Sequence, residues 1–362
     1  MKRGPMKRGL MRCGASTAKL GIFALALALG FFLVCGSVEA QEQPISDHTF
    51  DRAVANGEAM PRLHSLLVSR RGTLVLERYF HGTDRHDVAN VKSVSKSIVS
   101  ALVGIAIERG YISGVDEAIV DYFPRELDGG VDPAKRSITI ENLLTMQAGL
   151  RPTSNRYYGA WVLSPNWIEF ALAQPIEEPP GGRMRYSTGN THLLSAILTQ
   201  TTGRSTLEFA RAELGAPLGF HLSSWPTDPQ GIYFGGNDME LTPRQMRAFG
   251  ELYLNGGRVA GRQVVPAAWV EASLQPRTES PREDGRYYGY GWWVRSMAGY
   301  QTPYAWGYGG QFIILVPDLQ TVVVTTSSST PGEDRRSHTR RLYELIEDDV
   351  IAPLGAALDA GR

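Results

Sequence analysis

The sequence contains very little cysteine. Only Cys13 and Cys35 occur among its 362 residues, and both lie close to the N-terminus. Beyond residue 40 the chain therefore has no thiol that could form a disulfide, attack a substrate or ligate a metal. Covalent catalysis in that part of the chain would need a different nucleophile.

Several enzyme motifs are also absent. The sequence has no G-x-S-x-G elbow, no H-E-x-x-H helix and no Walker loop. The α/β-hydrolase, zinc-peptidase and P-loop interpretations thus lack the residues on which their chemistry depends. We expect no metal and no other cofactor.

A surplus of basic charge is missing as well. The first forty residues hold six Lys or Arg and one acidic residue, which leaves 31 basic and 36 acidic residues in the rest of the chain. A mildly acidic chain without a basic stripe is a poor nucleic-acid binder. We therefore expect a small-molecule partner and no nucleic acid.

The N-terminal segment has the pattern of a secretory signal peptide. Basic residues precede an apolar run at residues 20–34, and Val38-Glu39-Ala40 offers small residues at the cleavage positions. The pattern predicts cleavage after Ala40 and a periplasmic or secreted protein. Membrane attachment through an uncleaved segment is the alternative, because the apolar run is near the shortest length that spans a bilayer.

Residues 41–362 are predicted to form a single α/β (α+β) domain. Strand patterns at about 41–110 and 280–362 enclose a mainly helical stretch at about 111–279. This order indicates an antiparallel sheet flanked by helices, with an inserted all-helical lobe. Within it we expect a leader at residues 41–60, a hairpin of residues 65–68 and 73–76 joined by Arg70-Arg71-Gly72, and one continuous strand at residues 306–316. Thr139 is expected to cap a helix that Gly149 ends, and Thr242 to begin another helix with a capping box.

Ser93-Val94-Ser95-Lys96 is the most informative tetrapeptide in the chain. It opens an apolar run that predicts a buried helix, ended by Arg109 and Gly110. The S-x-x-K spacing places a hydroxyl and an amine one turn apart on the same helix face, as nucleophilic catalysis requires. Ser93 could instead be an ordinary N-cap, and Ser16-Thr17-Ala18-Lys19 shows that the spacing alone is not specific.

Three further segments follow this motif in a fixed order. They are Thr139-Ile140-Glu141-Asn142-Leu143-Leu144-Thr145-Met146-Gln147-Ala148-Gly149-Leu150, then Pro180-Gly181 with Tyr186-Ser187, then Gly307-Tyr308-Gly309-Gly310-Gln311. With Ser93-Val94-Ser95-Lys96, they resemble the motifs of the serine β-lactamase and DD-peptidase superfamily. The resemblance runs from about Ser65 to Val350. It is strongest to the class C-related branch, which includes esterases and 6-aminohexanoate-dimer hydrolases.

The resemblance implies a role for each matched residue. Ser93 would be the nucleophile, Lys96 its base and Tyr186 a proton relay, with the oxyanion held by the backbone N–H groups of Ser93 and Gln311. Physical chemistry agrees for Lys96, because an amine in an apolar interior loses its proton easily. Beside a lysine ammonium, we expect the phenolate form of Tyr186 to be favoured. Tyr186 could instead be an ordinary core tyrosine.

Two departures from the family pattern bear on the substrate. Thr188 stands where many members have Asn, and Asn190 could take over substrate binding or be a simple loop residue. Tyr308 stands where Lys or His is usual, beside Gly309 and Gly310 in the expected substrate-binding segment. A tyrosine supplies no positive charge at neutral pH, so recognition of a substrate carboxylate is weakened unless an arginine from a loop replaces it.

The resulting hypothesis is a serine hydrolase that cleaves an ester or amide through an acyl-enzyme on Ser93. A β-lactamase or DD-peptidase with penicillin-binding activity is the first alternative, and a slow-deacylating penicillin-receptor-like sensor is the second. His192 is more simply a structural residue than a catalytic one. Tyr157, Tyr158 and Trp161 are more simply packing residues than parts of the cleft.

Overall fold

The computed structural model describes residues 45–46, 48–127 and 130–359. The predicted signal peptide, its cleavage site and both cysteines lie outside these residues. None of the helices in the described ranges combines the length and the apolar character needed to cross a bilayer.

An eight-stranded antiparallel sheet forms the centre of the fold, in the order β2-β1-β12-β11-β10-β9-β8-β7. Two small ribbons, β3 with β4 and β5 with β6, lie outside it. The strands are β1 Leu63–Arg70, β2 Thr73–Tyr79, β3 Ala89–Asn90, β4 Glu240–Leu241, β5 Arg258–Val259, β6 Arg262–Gln263, β7 Thr278–Glu279, β8 Tyr287–Tyr288, β9 Trp293–Met297, β10 Tyr300–Gly307, β11 Gln311–Val316 and β12 Thr321–Ser327.

Twelve α-helices accompany the strands in the described ranges. They are α1 Asp51–Glu58, α2 Ser95–Glu108, α3 Pro124–Leu127, α4 Ile140–Leu144, α5 Tyr158–Val162, α6 Trp167–Ala173, α7 Thr188–Thr202, α8 Thr206–Ala210, α9 Pro243–Leu254, α10 Ala267–Leu274, α11 Arg335–Glu344 and α12 Ala352–Asp359. A 3-10 turn, Lys92–Val94, leads into α2, and π-helical stretches at Arg211–Gly215 and Leu345–Ile351 continue α8 and α11. The predicted fold class, an antiparallel sheet flanked by helices, is confirmed.

Two turns show how local sequence shapes the sheet. The β1–β2 hairpin was predicted, and its turn residues Arg71 and Gly72 both have positive φ, as a tight hairpin requires. The single strand predicted at residues 306–316 is wrong. Gly309 and Gly310 have φ of 95° and 113°, which no strand residue adopts, so the chain reverses there and forms β10 and β11.

The predicted leader at residues 41–60 is also wrong in part. Asp51–Glu58 forms α1, whose Ala53 is fully buried beside the sheet. Asp349 near the C-terminus, itself buried, bonds to Arg52 and Asn56 of this helix. These long-range contacts could not be predicted from the weak local pattern.

The sheet separates two apolar cores. One core contains Leu67, Ile313 and Val324 from the sheet and is covered by α2 and α9, and it extends into the helical part of the chain. The other contains Leu66 and Ile314 and is covered by α1 and the C-terminal helices. The alternation of side chains along β1 and β11 sends neighbouring residues into opposite cores.

The segment between the strand-rich ends is mainly helical. The cap predicted at Thr139 and the capping box predicted at Thr242 start α4 and α9, and both are capping boxes in the structure. Helix α4 ends at Leu144 and not at Gly149 as expected. The chain leaves the helix there because Met146 adopts a positive φ of 62°. The return to Tyr186 and α7 then passes beside Met146, whose sulfur accepts the N–H of Ser187.

Candidate active site

Ser93 and Lys96 lie where the Lys92–Val94 turn enters α2. Lys96 Nζ is 3.2 Å from Ser93 Oγ, within hydrogen-bond distance. The S-x-x-K spacing produces this contact because residues three apart share one face of a helix. Ser93 is only partly buried, so its hydroxyl remains accessible, whereas the Lys96 side chain is 1% exposed.

The Lys96 amine has contacts from three segments of the chain. Besides Ser93, it donates to the Gly236 carbonyl and lies 3.3 Å from Thr188 Oγ1 at the start of α7. Burial lowers the pKa of Lys96 to about 7, against an opposing effect of the Asp238 carboxylate. An amine with this pKa can exist in the neutral form that removes a proton from serine near neutral pH.

Asp238 connects the loop before β4 to the entrance of α2. Its Oδ1 accepts bonds from Lys92 Nζ and Asn90 Nδ2, both at 2.8 Å. Lys92 and Asp238 both have positive φ, 51° and 59°, which is unfavourable for residues with a Cβ. The β3–β4 ribbon and this ion pair hold the two strained segments against each other.

Tyr186 stands on the other side of Ser93. The Ser93 hydroxyl is near enough to the Tyr186 phenol to lower its pKa, and the Tyr186 ring centroid lies 5.3 Å from Lys96 Nζ. The ring stacks on Trp293 of β9 at a centroid distance of 5.6 Å and meets Tyr288 edge-on at 6.1 Å. The sheet thus fixes the orientation of a side chain that enters from the loop before α7.

The expectation that Tyr186 favours its phenolate is wrong. Burial raises the pKa of Tyr186 to about 12, which outweighs the lowering effects of the Ser93 hydroxyl and the charge of Arg286. Lys96 does not offset this effect, because the amine is itself depleted of charge near neutral pH. The side chain of Tyr186 is therefore a neutral phenol. It can accept a proton from one partner while it donates its own hydroxyl proton to another.

The two residues considered for the second motif have different surroundings. Thr188, in the place of the usual Asn, contacts Lys96 and also bonds Ser154 Oγ at 2.9 Å. Asn190 is 3% exposed within α7, so a substrate could reach it only after a local rearrangement. Its substrate-binding role stays a prediction, whereas Thr188 belongs to the lysine's surroundings.

The third motif forms the turn between β10 and β11. Gly307 lies so close to the Ser93 turn that a Cβ there would be 2.2 Å from the Val91 carbonyl oxygen. A Cβ on Gly309 would be 2.6 Å from the Ser328 carbonyl oxygen, and one on Gly310 would be 2.8 Å from Leu342. The glycines therefore allow this turn to fit between the nucleophile and the end of β12.

Gln311 is fixed inside the sheet. It is fully buried and pairs with Gly307 across the hairpin, and its side-chain amide bonds both backbone groups of Ser327. Its assignment as an oxyanion donor stays a prediction. The approach of Gly307 to Val91 makes the neighbouring N–H of Tyr308 a second candidate donor at the same end of β10.

Two arginines that could not be identified from the sequence lie near the site. The Arg335 guanidinium lies 4.3 Å from the centre of the Tyr308 ring, and that of Arg286 lies 3.9 Å from the Trp293 ring. Arg286 is largely buried, and its Nε and Nη2 have no hydrogen-bond partner among the described residues. Each of the two residues reaches the site from a segment that is distant in the sequence. The sequence therefore showed only that they are arginines, and not that they lie near the site.

The helical part contributes both structure and one wall of the site. Tyr158 accepts a bond from Asn237 at 2.7 Å, beside Asp238, whereas Trp161 is fully buried in the core. His192 is also fully buried and bonds Asp228 at 2.9 Å. Within the described ranges no three His, Cys, Asp or Glu side chains are close enough together to hold a metal ion.

Comparisons with known proteins agree with this geometry. The sequence profile of a family described as Beta-lactamase matches residues 50–347. The chain is 25% identical over 320 residues to a 6-aminohexanoate-dimer hydrolase of Paenarthrobacter ureafaciens, covering 80% of this chain and 77% of that protein.

Solved structures show the same fold at low sequence identity. EstCE1, a hydrolase with promiscuous acyltransferase activity, superposes with a TM-score of 0.66 and 17% identity, over 83% of this chain and all of the other. The octameric penicillin-binding protein homologue from Pyrococcus abyssi gives a TM-score of 0.63 and 17% identity, over 83% and 77%.

Proposed function

The chain belongs to the Beta-lactamase family, and from this premise we propose that it is a serine hydrolase acting through an acyl-enzyme on Ser93. The observation that carries the proposal is the contact between the accessible Ser93 hydroxyl and the buried Lys96 amine at 3.2 Å. Tyr186, whose ring lies 5.3 Å from Lys96 Nζ and whose phenol is influenced by Ser93, supplies the third group that acyl transfer uses.

Acylation follows from this arrangement. The neutral Lys96 amine takes the Ser93 proton as the oxygen attacks the carbonyl carbon of the substrate. The resulting Lys96 ammonium lies beside the Tyr186 ring. The Tyr186 phenol donates its proton to the leaving group and receives a proton from the Lys96 ammonium. The bond to the leaving group then breaks, and the acyl group remains on Ser93.

The negative charge that develops on the substrate oxygen needs donors at the entrance of α2. We assign the first to the backbone N–H of Ser93, at a helix start where N–H groups are left free. The second comes from the turn between β10 and β11, where Gln311 and Tyr308 are the two candidates. Loss of one such donor reduces the rate by about 10²–10³-fold in comparable enzymes.

Hydrolysis of the acyl-enzyme reverses these proton movements. A water molecule in the place of the leaving group gives its proton to the Tyr186–Lys96 pair and attacks the ester carbon. The Ser93 oxygen then leaves and recovers its proton. Side chains of Ser93, Lys96 and Tyr186 carry the proton transfers, and backbone N–H groups hold the oxyanion in both halves of the cycle.

The substrate is proposed to be an ester or a short amide. Tyr308 in the third motif offers a hydrogen bond and no charge, which weakens binding of a β-lactam or D-alanine carboxylate. The similarity to a 6-aminohexanoate-dimer hydrolase favours amides of that general kind. β-Lactamase or DD-peptidase activity is the second candidate, and the Arg335 guanidinium over Tyr308 is the observation that favours it.

Export through the N-terminal segment is part of the proposal. The basic residues, the apolar run and the Val38-Glu39-Ala40 site support secretion or a periplasmic location. Mass spectrometry of the protein from a secreting host would test it, with Gln41 expected as the first residue. A retained N-terminal segment would indicate the membrane-anchored alternative.

Turnover of p-nitrophenyl butyrate by the wild type and by Ser93→Ala tests the function. We expect sustained hydrolysis that Ser93→Ala abolishes. Ser100→Ala is the control, because it makes the same change two turns further along, in α2, at a fully buried serine whose hydroxyl has no partner among the described residues. Full activity of Ser93→Ala would contradict the assignment, and a stoichiometric burst that stops would indicate the sensor alternative.

A further inference from the structure

We propose that the buried pair His192–Asp228 is a positioning device that holds the Gly235–Gly236 peptide against Lys96. The inference rests on the proposed function and concerns how the amine of Lys96, the base of that site, is oriented. The hydrogen bonds of His192 go to Asp228 and Gly235, and neither residue of the pair is hydrogen-bonded to Ser93, Lys96 or Tyr186. Both would act through the loop whose carbonyl accepts the Lys96 amine.

A continuous line of contacts joins the pair to the lysine. His192 Nε2 bonds Asp228 Oδ2 at 2.9 Å, and His192 Nδ1 faces the N–H of Gly235 at 3.4 Å. The next residue, Gly236, accepts Lys96 Nζ. One imidazole ring thus stands between a fixed carboxylate and the peptide that meets the catalytic amine.

The hydrogen-bond network assigns a single tautomer to His192. Gly235 N–H is a donor, so Nδ1 must accept and carry no proton. Nε2 must then carry the proton and donate it to Asp228. Asp228 cannot rotate away, because its Oδ1 already accepts the N–H groups of Gln230 and Ile232 at 2.8 and 2.9 Å.

Steric contacts show that the loop is fitted closely to α7. A Cβ at Gly235 would lie 2.2 Å from the Thr191 carbonyl oxygen, and one at Gly236 would lie 2.9 Å from Lys96 Nζ. Two glycines therefore allow the backbone to reach the lysine. A small displacement of this peptide would move the acceptor that orients the amine.

The surroundings of His192 keep water away from the pair. Both side chains are fully buried, and three aromatic rings, those of Trp161, Trp167 and Phe234, lie within 5.3–6.1 Å of the imidazole centre. Without water to replace a lost partner, the hydrogen bonds of the pair have no substitute. The tautomer of His192 therefore sets the loop position.

Displacement of the loop would change the proton affinity of Lys96. The titratable groups around its amine are Tyr186 from the opposite side and Asp238, which is paired with Lys92. Loss of the Gly236 acceptor removes a partner of the ammonium, and outward movement of Asp238 removes a negative charge. Each of these two changes alone lowers the pKa of Lys96 and misdirects the amine. Water admitted by the displaced loop has the opposite and larger effect, because burial is the main cause of the low pKa, so the pKa of Lys96 rises overall.

Asp228→Asn tests the device because neither amide orientation satisfies the network. If the amide nitrogen faces His192, it donates to Nε2, and the ring proton must move to Nδ1. There it meets the N–H of Gly235, so two donors face each other. An amide nitrogen facing the other way meets the N–H groups of Gln230 and Ile232. We expect kcat per active site to fall about 10²-fold, as a misplacement of about 1 Å can cause.

The readouts separate positioning from a general loss of structure. Active sites are counted with a fluorophosphonate that labels Ser93, and the acid limb of kcat/KM is expected to move to higher pH in Asp228→Asn, because a displaced loop exposes the Lys96 amine to water. Asp349→Asn is the matched control, since Asp349 is as buried as Asp228 but bonds Arg52 and Asn56 of α1. Asp349→Asn should leave both kcat per active site and the acid limb of kcat/KM unchanged.

A second pair of variants tests the ring itself. His192→Gln can present an oxygen to Gly235 and an N–H to Asp228, whereas His192→Leu can present neither. We expect His192→Gln to recover part of the activity that His192→Leu loses. Equal loss in both variants, or an unchanged acid limb and kcat per site in Asp228→Asn, would overturn the inference.

The wild-type protein offers a test that does not depend on stable variants. Imidazole ¹⁵N chemical shifts report the tautomer of His192, and a proton on Nδ1 would overturn the inference. Activity retained by Ser93→Ala would overturn the proposed function together with this inference. Turnover that depends on Ser93 but is insensitive to Asp228→Asn would overturn the inference alone.

Discussion

The two walls of the site are built from different kinds of side chain. The helical wall consists of α2, the start of α7 and the Gly235–Asp238 loop, and it surrounds Lys96 with hydroxyls and a backbone carbonyl. The sheet wall comes from β8, β9 and the turn between β10 and β11, and it contains Tyr288, Trp293 and Tyr308 with arginines over two of these rings.

The difference indicates that the two walls have different functions, with proton transfer assigned to the helical wall and substrate binding to the sheet wall. The helical wall binds a proton-transfer group tightly and shifts its pKa, which requires fixed polar contacts in a dry interior. In the sheet wall Tyr288 and Trp293 are buried, whereas Tyr308 is half-buried and lies under the Arg335 guanidinium, which suits an anionic end of a substrate. Changes in the helical wall should therefore alter kcat, and changes in the sheet wall should alter substrate preference.

The largest effect is expected from Lys96→Met. This change removes the base while keeping an unbranched apolar side chain, so kcat should fall by about 10²–10⁴-fold. Lys135→Met is the matched control, because Lys135 is also buried and donates to the Leu172 carbonyl at 2.7 Å, in a helical region without Ser93 or Tyr186.

Steady-state hydrolysis of p-nitrophenyl butyrate would measure both variants. Activity in Lys96→Met similar to that of the wild type would mean that another group removes the Ser93 proton. An equal loss of kcat in Lys135→Met would mean that burial of any lysine matters to the fold, and the distinction between the walls would fail.

An intermediate effect is expected from pH. Lys96 acts as a base only when neutral, and the pKa of Lys96 is about 7, so kcat/KM should fall tenfold for each pH unit well below 7 and level off above it. Because the pKa of Tyr186 is about 12, the phenol should add no second limb between pH 7 and pH 10.

Initial rates followed at the isosbestic wavelength of p-nitrophenol would give this profile without interference from the product's own titration. A flat profile from pH 5 to pH 8 would contradict a neutral-lysine base. A descending limb above pH 8 would contradict the assignment of Tyr186 as a neutral phenol.

The smallest effect is expected from Tyr308→Lys in the sheet wall. A cation at this half-buried position should raise kcat/KM for carboxylate-bearing amides by roughly two- to fivefold relative to neutral esters, as an exposed ion pair does. Tyr308→Phe controls for loss of the hydroxyl. An unchanged ratio would mean that another cation already fills the role, and Arg335 is placed to do so.

Sequence reasoning succeeded where the relevant contacts are local or strongly patterned. The Ser93–Lys96 pair, the β1–β2 hairpin and the helix caps at Thr139 and Thr242 depend on residues a few positions apart. It failed for α1, whose helix is fixed by distant partners, and for the turn that separates β10 from β11. Gly309 and Gly310 were the available signal for that turn.

The sequence by itself determined that Ser93 and Lys96 share one helix face, since the helix repeat sets the direction of side chains three residues apart. Only the tertiary structure decided the chemistry of that pair. The pKa of Lys96 depends on burial by α7 and the Gly235–Asp238 loop, and the neutral state of Tyr186 depends on its packing against the sheet. Desolvation is a property of the surrounding volume, and that volume is filled by residues far away in the chain.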